Sequence, residues 1–309
     1  MQNLRALRQR IRSVQNTQKI TKAMQMVAGA KLRRMQSELT SFRPYAERLA
    51  DMTKRFLAAH PDFANSLMES AVSPDNTESF SRKRESDPRF RGDDKVDDAP
   101  PPPAGLILIT SDTGLCGTYN ERVLDVGEKF LLEFPSAKVI AIGKKGNRLL
   151  ARKGIARTRE ILDWGGRYEK TTAGALVDWC EELYLTGRIS SWHIAYTQFI
   201  SALQWKPVVA QLLPLVSPAT QEFPDQIIIE PDVERFAGEL LKKFVKIQFA
   251  RILLEAFTAE HSARMIAMKN ATENATEMID HLTLVRNKAR QAAITKELIE
   301  VVSGAQALQ

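Results

Sequence analysis

Ser111, Asp112 and Cys116 lie within seven residues of one another in the stretch SDTGLCG, directly after a short apolar run. A hydroxyl, a carboxylate and a thiol this close invite a nucleophile reading, and the two glycines invite a phosphate-cradle reading. Neither pattern is completed. No histidine is near enough in sequence to act as a base, and the loop has neither the GK[ST] of a P-loop nor the GxGxxG of a dinucleotide site. Gly114 and Gly117 therefore read as turn glycines and Cys116 as a buried thiol. The four histidines, at positions 60, 193, 261 and 281, have no paired-ligand spacing, which argues against a metal centre. Cys116 and Cys180 stand 64 positions apart without a CxxC, the usage of a chain kept reduced. No cofactor is expected.

The elements around this loop are more informative than the loop itself. From Glu239 to Ser303 the chain runs 65 residues without a glycine or proline. As a helix that segment would be roughly 100 Å long, more than a core of this size can enclose. Ala271, Ala275, Met278, Leu282, Val285, Ala289 and Ala292 recur at three and four spacings, the mark of a coiled-coil seam that needs a partner. Leu4, Leu7, Ile11 and Val14, then Ala28, Leu32, Met35, Leu39 and Phe42, supply one at the other end of the chain. Its seam is interrupted at Gln18, Thr21 and Gln25, where Ile20, Met24 and Val27 move to a neighbouring face. Polar seam positions set register at a cost in stability, and a helix pair loosened there can also turn side chains outward. Both readings stand at this point. Pro44 is expected to kink the first helix, whose pattern resumes to about His60.

Between the helices the composition changes twice. Residues 73–103 carry six basic and eight acidic residues and end in four prolines, which reads as a disordered loop. Residues 104–230 then alternate apolar runs at 104–110, 137–143, 192–199 and 208–215 with helical stretches at 121–133, 147–152 and 172–186. This is the pattern of a small doubly wound α/β domain. The expected organisation is a shaft helix at 1–60, the loop, the α/β domain at 104–230 and a second shaft helix at 231–309.

The net charge of +7 is concentrated. Residues 1–36 hold nine Lys or Arg and no acid, whereas residues 232–309 hold eleven against ten. A basic helix can bind nucleic acid or an acidic membrane surface. Here the same helix carries nine apolar seam positions, so it is committed to a partner helix and nucleic acid is not expected. An Arg-rich, acid-free start also mimics a transit peptide, but the seam continues in register through it. No apolar run approaches the 18 residues of a membrane span.

Both ends of the chain resemble one family, the γ subunit of F-type rotary ATP synthases. RIRSVQNTQKITKAMQMVAGAKLRR and ARMIAMKNATENATEMIDHLTLVRNKARQAAITKELIEVVSGAQAL are similar to its two signature segments, and TSDTGLCGTYN to its first strand and loop. The resemblance covers nearly all of the chain except 73–103. It implies an α/β fold class in which an antiparallel coiled coil of the terminal helices carries a small Rossmann-like α/β domain. It implies a rotor shaft without a catalytic site of its own, turning inside a hexamer of α and β subunits. The domain would meet the ε subunit and the ring of c subunits, with membrane association only through the complex. A bacterial origin, expected from the lack of a presequence, would put it at the cytoplasmic face of the inner membrane.

By motif position, Arg290 and Gln291 match the pair that hydrogen-bonds a loop of the catalytic β subunit, and Thr295 and Glu297 match neighbouring coupling positions. Met24 and Arg264 match the level where the shaft meets an acidic segment of the β subunits, to which Lys19, Lys22, Lys31, Arg33 and Arg34 offer complementary charge. Thr113 stands where the family commonly has Arg. The two seam interruptions, at 18–25 and 261–264, are expected to face each other. ITKELIEVVSGAQALQ is expected to outrun the first helix.

Overall fold

The computed structural model describes residues 4–60, 63, 65–68, 101–215 and 232–306. Two helices dominate it. Helix α1, Leu4–Ala59, runs 56 residues, and its missing backbone donor at Pro44 does not end it. The final helix, α5, Val233–Gln306, runs 74 residues, about 110 Å at the α-helical rise. Between them come β1 (Gly105–Ile109), α2 (Tyr119–Glu133), β2 (Lys138–Ile142), α3 (Lys144–Arg152), β3 (Arg159–Ile161), α4 (Lys170–Leu185), β4 (Trp192–Ser201) and β5 (Gln204–Leu213). Of the expected loop at 73–103, residues up to 100 lie outside the described residues.

The helices pair antiparallel. Gln18 Nε2 donates to Thr276 Oγ1 at 2.7 Å, Thr272 Oγ1 donates to Thr21 Oγ1 at 2.8 Å, and Gly29 packs toward Met265. These contacts correct the expected register. The polar stretch at 18–25 faces 268–276, while Arg264 lies eight residues, roughly 12 Å, further along the axis. The polar seam residues of the two helices bond to each other, which is register control rather than loosening. The C-terminal seam also differs in detail. Leu282, buried with Leu7 and Ile11, continues the line of Ala275, but Met278 is 45 % exposed and Ile279 takes the inward position.

The sheet order is β3-β2-β1-β4-β5, parallel except for β5, which forms an antiparallel hairpin with β4. The continuous apolar runs of β1 and β2 need cover on both faces. On one face Val123, Leu124 and Phe130 of α2 and Leu150 of α3 meet Leu106, Leu108 and Val139. On the other, Ile107, Ile109, Ile140 and Ile142 meet α4 together with Leu241, Val245, Phe249, Leu253 and Phe257 of α5. The shaft helix is thus a layer of the domain. Gly105 is where the sheet tolerates no side chain, since a Cβ there would lie 2.3 Å from the buried Trp192 ring.

Candidate functional site

The β1/β4 boundary is the switch point of this sheet. On one side the chain crosses over through α2 and α3 along one face, and on the other it returns through α4 along the opposite face. In open α/β sheets a ligand occupies the crevice outside the strand ends at such a point. Here the crevice is occupied by α5. Tyr119, fully buried at the start of α2, donates its hydroxyl to the Ala256 carbonyl at 3.0 Å. The guanidinium of Arg264 lies across the β1 loop: Nε donates to the Gly114 carbonyl at 3.2 Å, and Nη2 to the Thr113 carbonyl at 3.2 Å and to Thr113 Oγ1 at 2.8 Å. The same Nη2 meets Glu260 Oε1 at 2.6 Å, a pair whose side chains are 9 % and 4 % exposed.

His261 extends the cluster to the loop after β3. Its Nε2 donates to the Gly166 carbonyl at 3.2 Å, while Nδ1 accepts from Arg264 Nη1 at 3.2 Å, so the neutral Nε2–H tautomer satisfies both neighbours. Gly166 sits at φ +67°, and a Cβ there would press to 3.1 Å from the imidazole. The loop is held by Asp112, whose carboxylate accepts from the backbone N–H groups of Lys144, Asp163 and Gly165. A third loop, the β4–β5 turn, contributes the Ala202 carbonyl, which accepts from Ser262 Oγ.

The side chains that suggested chemistry are engaged in structure. Ser111 Oγ donates to the Thr113 carbonyl at 2.7 Å and accepts from Asn120 Nδ2 at 2.9 Å. Asn120 Nδ2 also reaches Cys116 Sγ at 3.2 Å. Burial pushes the Cys116 thiol up, so it is held as the thiol rather than the nucleophilic thiolate.

Burial, reinforced by Arg264, lowers the His261 pKa from 6.5 to about 4. A histidine depressed in the folded state contributes stability that is complete above pH 6.5 and lost as pH falls toward 4, because the unfolded chain takes up the proton first. Over that window the loss is about 3 kcal/mol. Glu260 works in the opposite sense: burial raises its pKa against the pull of Arg264, so it favours the folded state as pH falls. Comparison with His261→Gln isolates the imidazole. In urea titrations between pH 6.5 and 4 the parent chain should lose more stability than the variant by about this amount; parallel pH profiles would remove His261 as the cause.

The residues singled out by resemblance fall at three levels along the shaft. Lys19, Lys22, Lys31, Arg33 and Arg34 are exposed on α1, Arg34 in a surface pair with Glu38 at 3.1 Å. Met24 is half-buried beside exposed Ile20, Met26 and Val27. Arg290, Gln291, Thr295 and Glu297 are exposed near the end of α5, with Thr295 Oγ1 donating to the Gln291 carbonyl. Arg264 differs from all of them. By resemblance it was expected at the level where the shaft meets the β subunits, but its donors are taken within the chain by Glu260, His261 and the β1 loop. Glu260, Thr113, Asp112 and Gly166 were not singled out for this contact. The available signal was EHSAR, a cluster of polar residues inside an otherwise apolar helical stretch, since buried charges require partners.

A two-helix shaft, gripped by an α/β domain at the point where such domains usually bind a ligand, defines a mechanical element rather than a catalytic one. The family model described as ATP synthase matches residues 3–308. The ATP synthase gamma chain of Moorella thermoacetica is 39 % identical over 310 residues, covering all of both chains, and that of Cupriavidus metallidurans is 36 % identical over 321 residues, again covering all of both. Among solved structures, the fold is similar to the Euglena gracilis mitochondrial ATP synthase rotor, with a TM-score of 0.62 at 16 % identity over 94 % of this chain and 98 % of that one. The chain belongs to the ATP synthase gamma-chain family. Its function is that of a non-catalytic central-stalk subunit.

Proposed function

We propose that this chain is the shaft that turns inside a hexamer of α and β subunits, coupling ion flow through a ring of c subunits to ATP synthesis or hydrolysis at the β subunits. The observation that carries this reading is the bare end of α5. Thr276 pairs with Gln18 and Thr272 with Thr21, so the antiparallel register brings Leu4 level with about Arg290, and from Ile294 onward the helix outruns the first described turn of α1. Ile294, Leu298, Ile299, Val301 and Val302 are each about half exposed or more, an apolar surface that suits a close-fitting sleeve.

Arg290, Gln291, Thr295 and Glu297 stand at the base of that end and Lys19, Lys22, Met24, Arg33 and Arg34 further down, and in this reading they meet the surrounding subunits. Lys19, Lys22, Arg33 and Arg34 are the exposed cations that would face the acidic segment of the β subunits. A few such charge contacts made and broken in turn suit a rotor better than a continuous ladder, because each persistent pair is a brake. The strand beginnings lie toward the opposite end, so the domain would meet the ε subunit and the c ring there. Among the described residues no helix is long and apolar enough to cross a membrane. The complex itself would hold the chain at the membrane, in a bacterium at the cytoplasmic face of the inner membrane.

Affinity purification of the tagged chain from its native membranes tests the reading. Three α and three β subunits per chain are expected to co-purify with ATPase activity. Replacing both Arg290 and Gln291 by Ala should reduce that activity about tenfold, the size expected when hydrogen bonds to a charged group are lost. Recovery of the chain without α and β subunits would remove the proposal.

A further inference from the structure

The α/β domain holds α5 in two different ways. The sheet face presents Ile107, Ile109, Ile140 and Ile142 to Leu241, Val245, Phe249 and Leu253, an apolar contact without direction that resists separation more than it resists turning. The cluster at 260–264 is directional. We propose that this cluster is a torque collar, the contact through which turning force passes between the α/β domain and the shaft, with Thr113 and His261 as its positioning residues. The inference rests on the rotor reading above.

The geometry follows from helical spacing. Successive residues are turned by roughly 100° about the axis, so Glu260, His261 and Ser262 together span about 200° of the circumference. Arg264, on the side of Glu260, reaches the loop after β1 through Thr113 and Gly114. His261 reaches the loop after β3 through Gly166, and Ser262 reaches the β4–β5 turn through Ala202. Three loops at one end of the sheet therefore hold a single turn of the shaft around more than half its girth. Met265, on the helix face beside this turn, packs toward Gly29 of α1. The turn cannot rotate within the domain without breaking several buried or part-buried hydrogen bonds at once. It also lies within two turns of where the domain lets go of the shaft: past Met268, Lys269 and Asn270 are exposed. A collar at the exit transmits twist directly into the free part of the axle.

Two of the three loops are stiffened from behind. The Asp112 carboxylate gathers three backbone donors from the α3 start and the β3 loop, and Ser111 ties the β1 loop to Asn120. The β1 loop also touches α5 beyond the collar, since a Cβ at Gly117 would stand 3.9 Å from the Ala267 Cβ. That separation is within the Cβ–Cβ range of a disulfide, which supplies a covalent replacement for the collar; Gly117 lies at φ +59°, so the same cysteine pair is also placed in the parent to measure the strain of a side chain there.

The test uses the whole ATP synthase in sealed membrane vesicles, with ion-gradient-driven ATP synthesis and ATP hydrolysis measured on the same preparation. Thr113→Val with His261→Leu removes the Thr113 acceptor and the imidazole bridge while leaving every exposed shaft residue in place. Synthesis needs force to pass from the domain to the shaft, whereas hydrolysis needs the shaft to turn only within the hexamer. Synthesis is expected to fall about tenfold with hydrolysis within about twofold of the parent. In the same background, oxidised Gly117→Cys with Ala267→Cys should restore synthesis, and a reductant should abolish it again. Because a disulfide also stabilises a weakened fold, the hydrolysis rate and the amount of this chain in the complex separate the two cases: a folding defect lowers both, whereas a torque defect leaves both near the parent level. Unchanged synthesis in the double variant, or a joint loss of synthesis and hydrolysis, overturns the collar. If instead the parent chain is recovered without α and β subunits, or the parent vesicles couple ATP to ion movement in neither direction, the rotor reading itself fails, and the two results are distinct.

Discussion

Arg264→Met is expected to destabilise the isolated chain by about 4 kcal/mol, the usual consequence of removing one partner from a buried ion pair. Glu260 is 3 % exposed and would be left with its carboxylate in the interior. The carbonyls of Thr113 and Gly114 would lose their guanidinium donors in the same step. The effect is strongest at neutral pH. Burial already raises the Glu260 pKa, and loss of Arg264 removes the largest opposing influence, so the orphaned carboxyl takes up a proton more readily in the folded state. A group raised in this way favours folding as pH falls, and the deficit of the variant should shrink on acidification. Adding Glu260→Leu to Arg264→Met should return most of the lost stability, because a buried pair replaced by apolar groups of similar size is often neutral. Urea denaturation of the parent, the single and the double variant at pH 7.5 and 5 decides it. A double variant as unstable as the single one would mean that the pairing of Glu260 with Arg264 is not the source of the effect.

This cluster also marks where sequence reasoning stopped. The two shaft helices were legible because their seams repeat over tens of residues, β1 and β2 because AGLILIT and AKVIAIG are near-continuous apolar runs, and β4 because WHIAYTQF is rich in aromatic and β-branched residues. Strand β3 was not legible: Arg159–Ile161 is three residues long and mostly exposed, with no run to detect. The β4–β5 hairpin was read as two separate strands because its turn contains no Gly, Asn or Asp. The turn is made instead by the Ser201 hydroxyl, which accepts from the backbone N–H groups of Leu203 and Gln204. The relative register of α1 and α5 was misjudged for a more general reason. Two antiparallel seams can slide past each other by a turn and still match, and what selects the native alignment is the Gln18–Thr276 and Thr21–Thr272 hydrogen bonds. The contact surfaces proposed at the tip rest on resemblance alone, since an exposed Arg290 or Glu297 bears no mark of its partner.

The other missing piece was the double use of α5. A helix that faces only one partner shows a stripe, whereas one packed on several sides is apolar nearly all round. The stretch LLKKFVKIQFARILLEAFTAE shows no clean stripe: Lys242 and Lys243 leave one side of its first turns open, whereas from Phe249 it is buried on nearly every side, among the sheet, α4 and α1. Beyond Met268 the helix returns to a single stripe, with Ala275 and Leu282 buried and the residues between them exposed or half-exposed.

That change of surroundings along one helix predicts a gradient of stability. Phe249→Ala removes a fully buried ring from the core shared by the sheet and α5, and should cost about 4 kcal/mol, since the neighbouring strands cannot collapse into the space. Leu282→Ala removes a side chain 8 % exposed from a seam of two helices free to close up, and should cost about 2 kcal/mol. The two losses should also differ in reach. Hydrogen exchange in the Phe249 variant should accelerate together across β1, β2, β4 and the middle of α5, because these form one cooperative unit. In the Leu282 variant it should accelerate only in the first turns of α1 and in α5 beyond Ala275, leaving the sheet as slow as in the parent. A shaft built this way is rigid where the domain holds it and compliant toward its bare end, where the proposed sleeve of surrounding subunits would supply the support that the chain lacks alone. Equal exchange profiles in the two variants would show that α5 transmits disorder along its whole length, and would place the stiffness of the shaft in the helix itself rather than in what surrounds it.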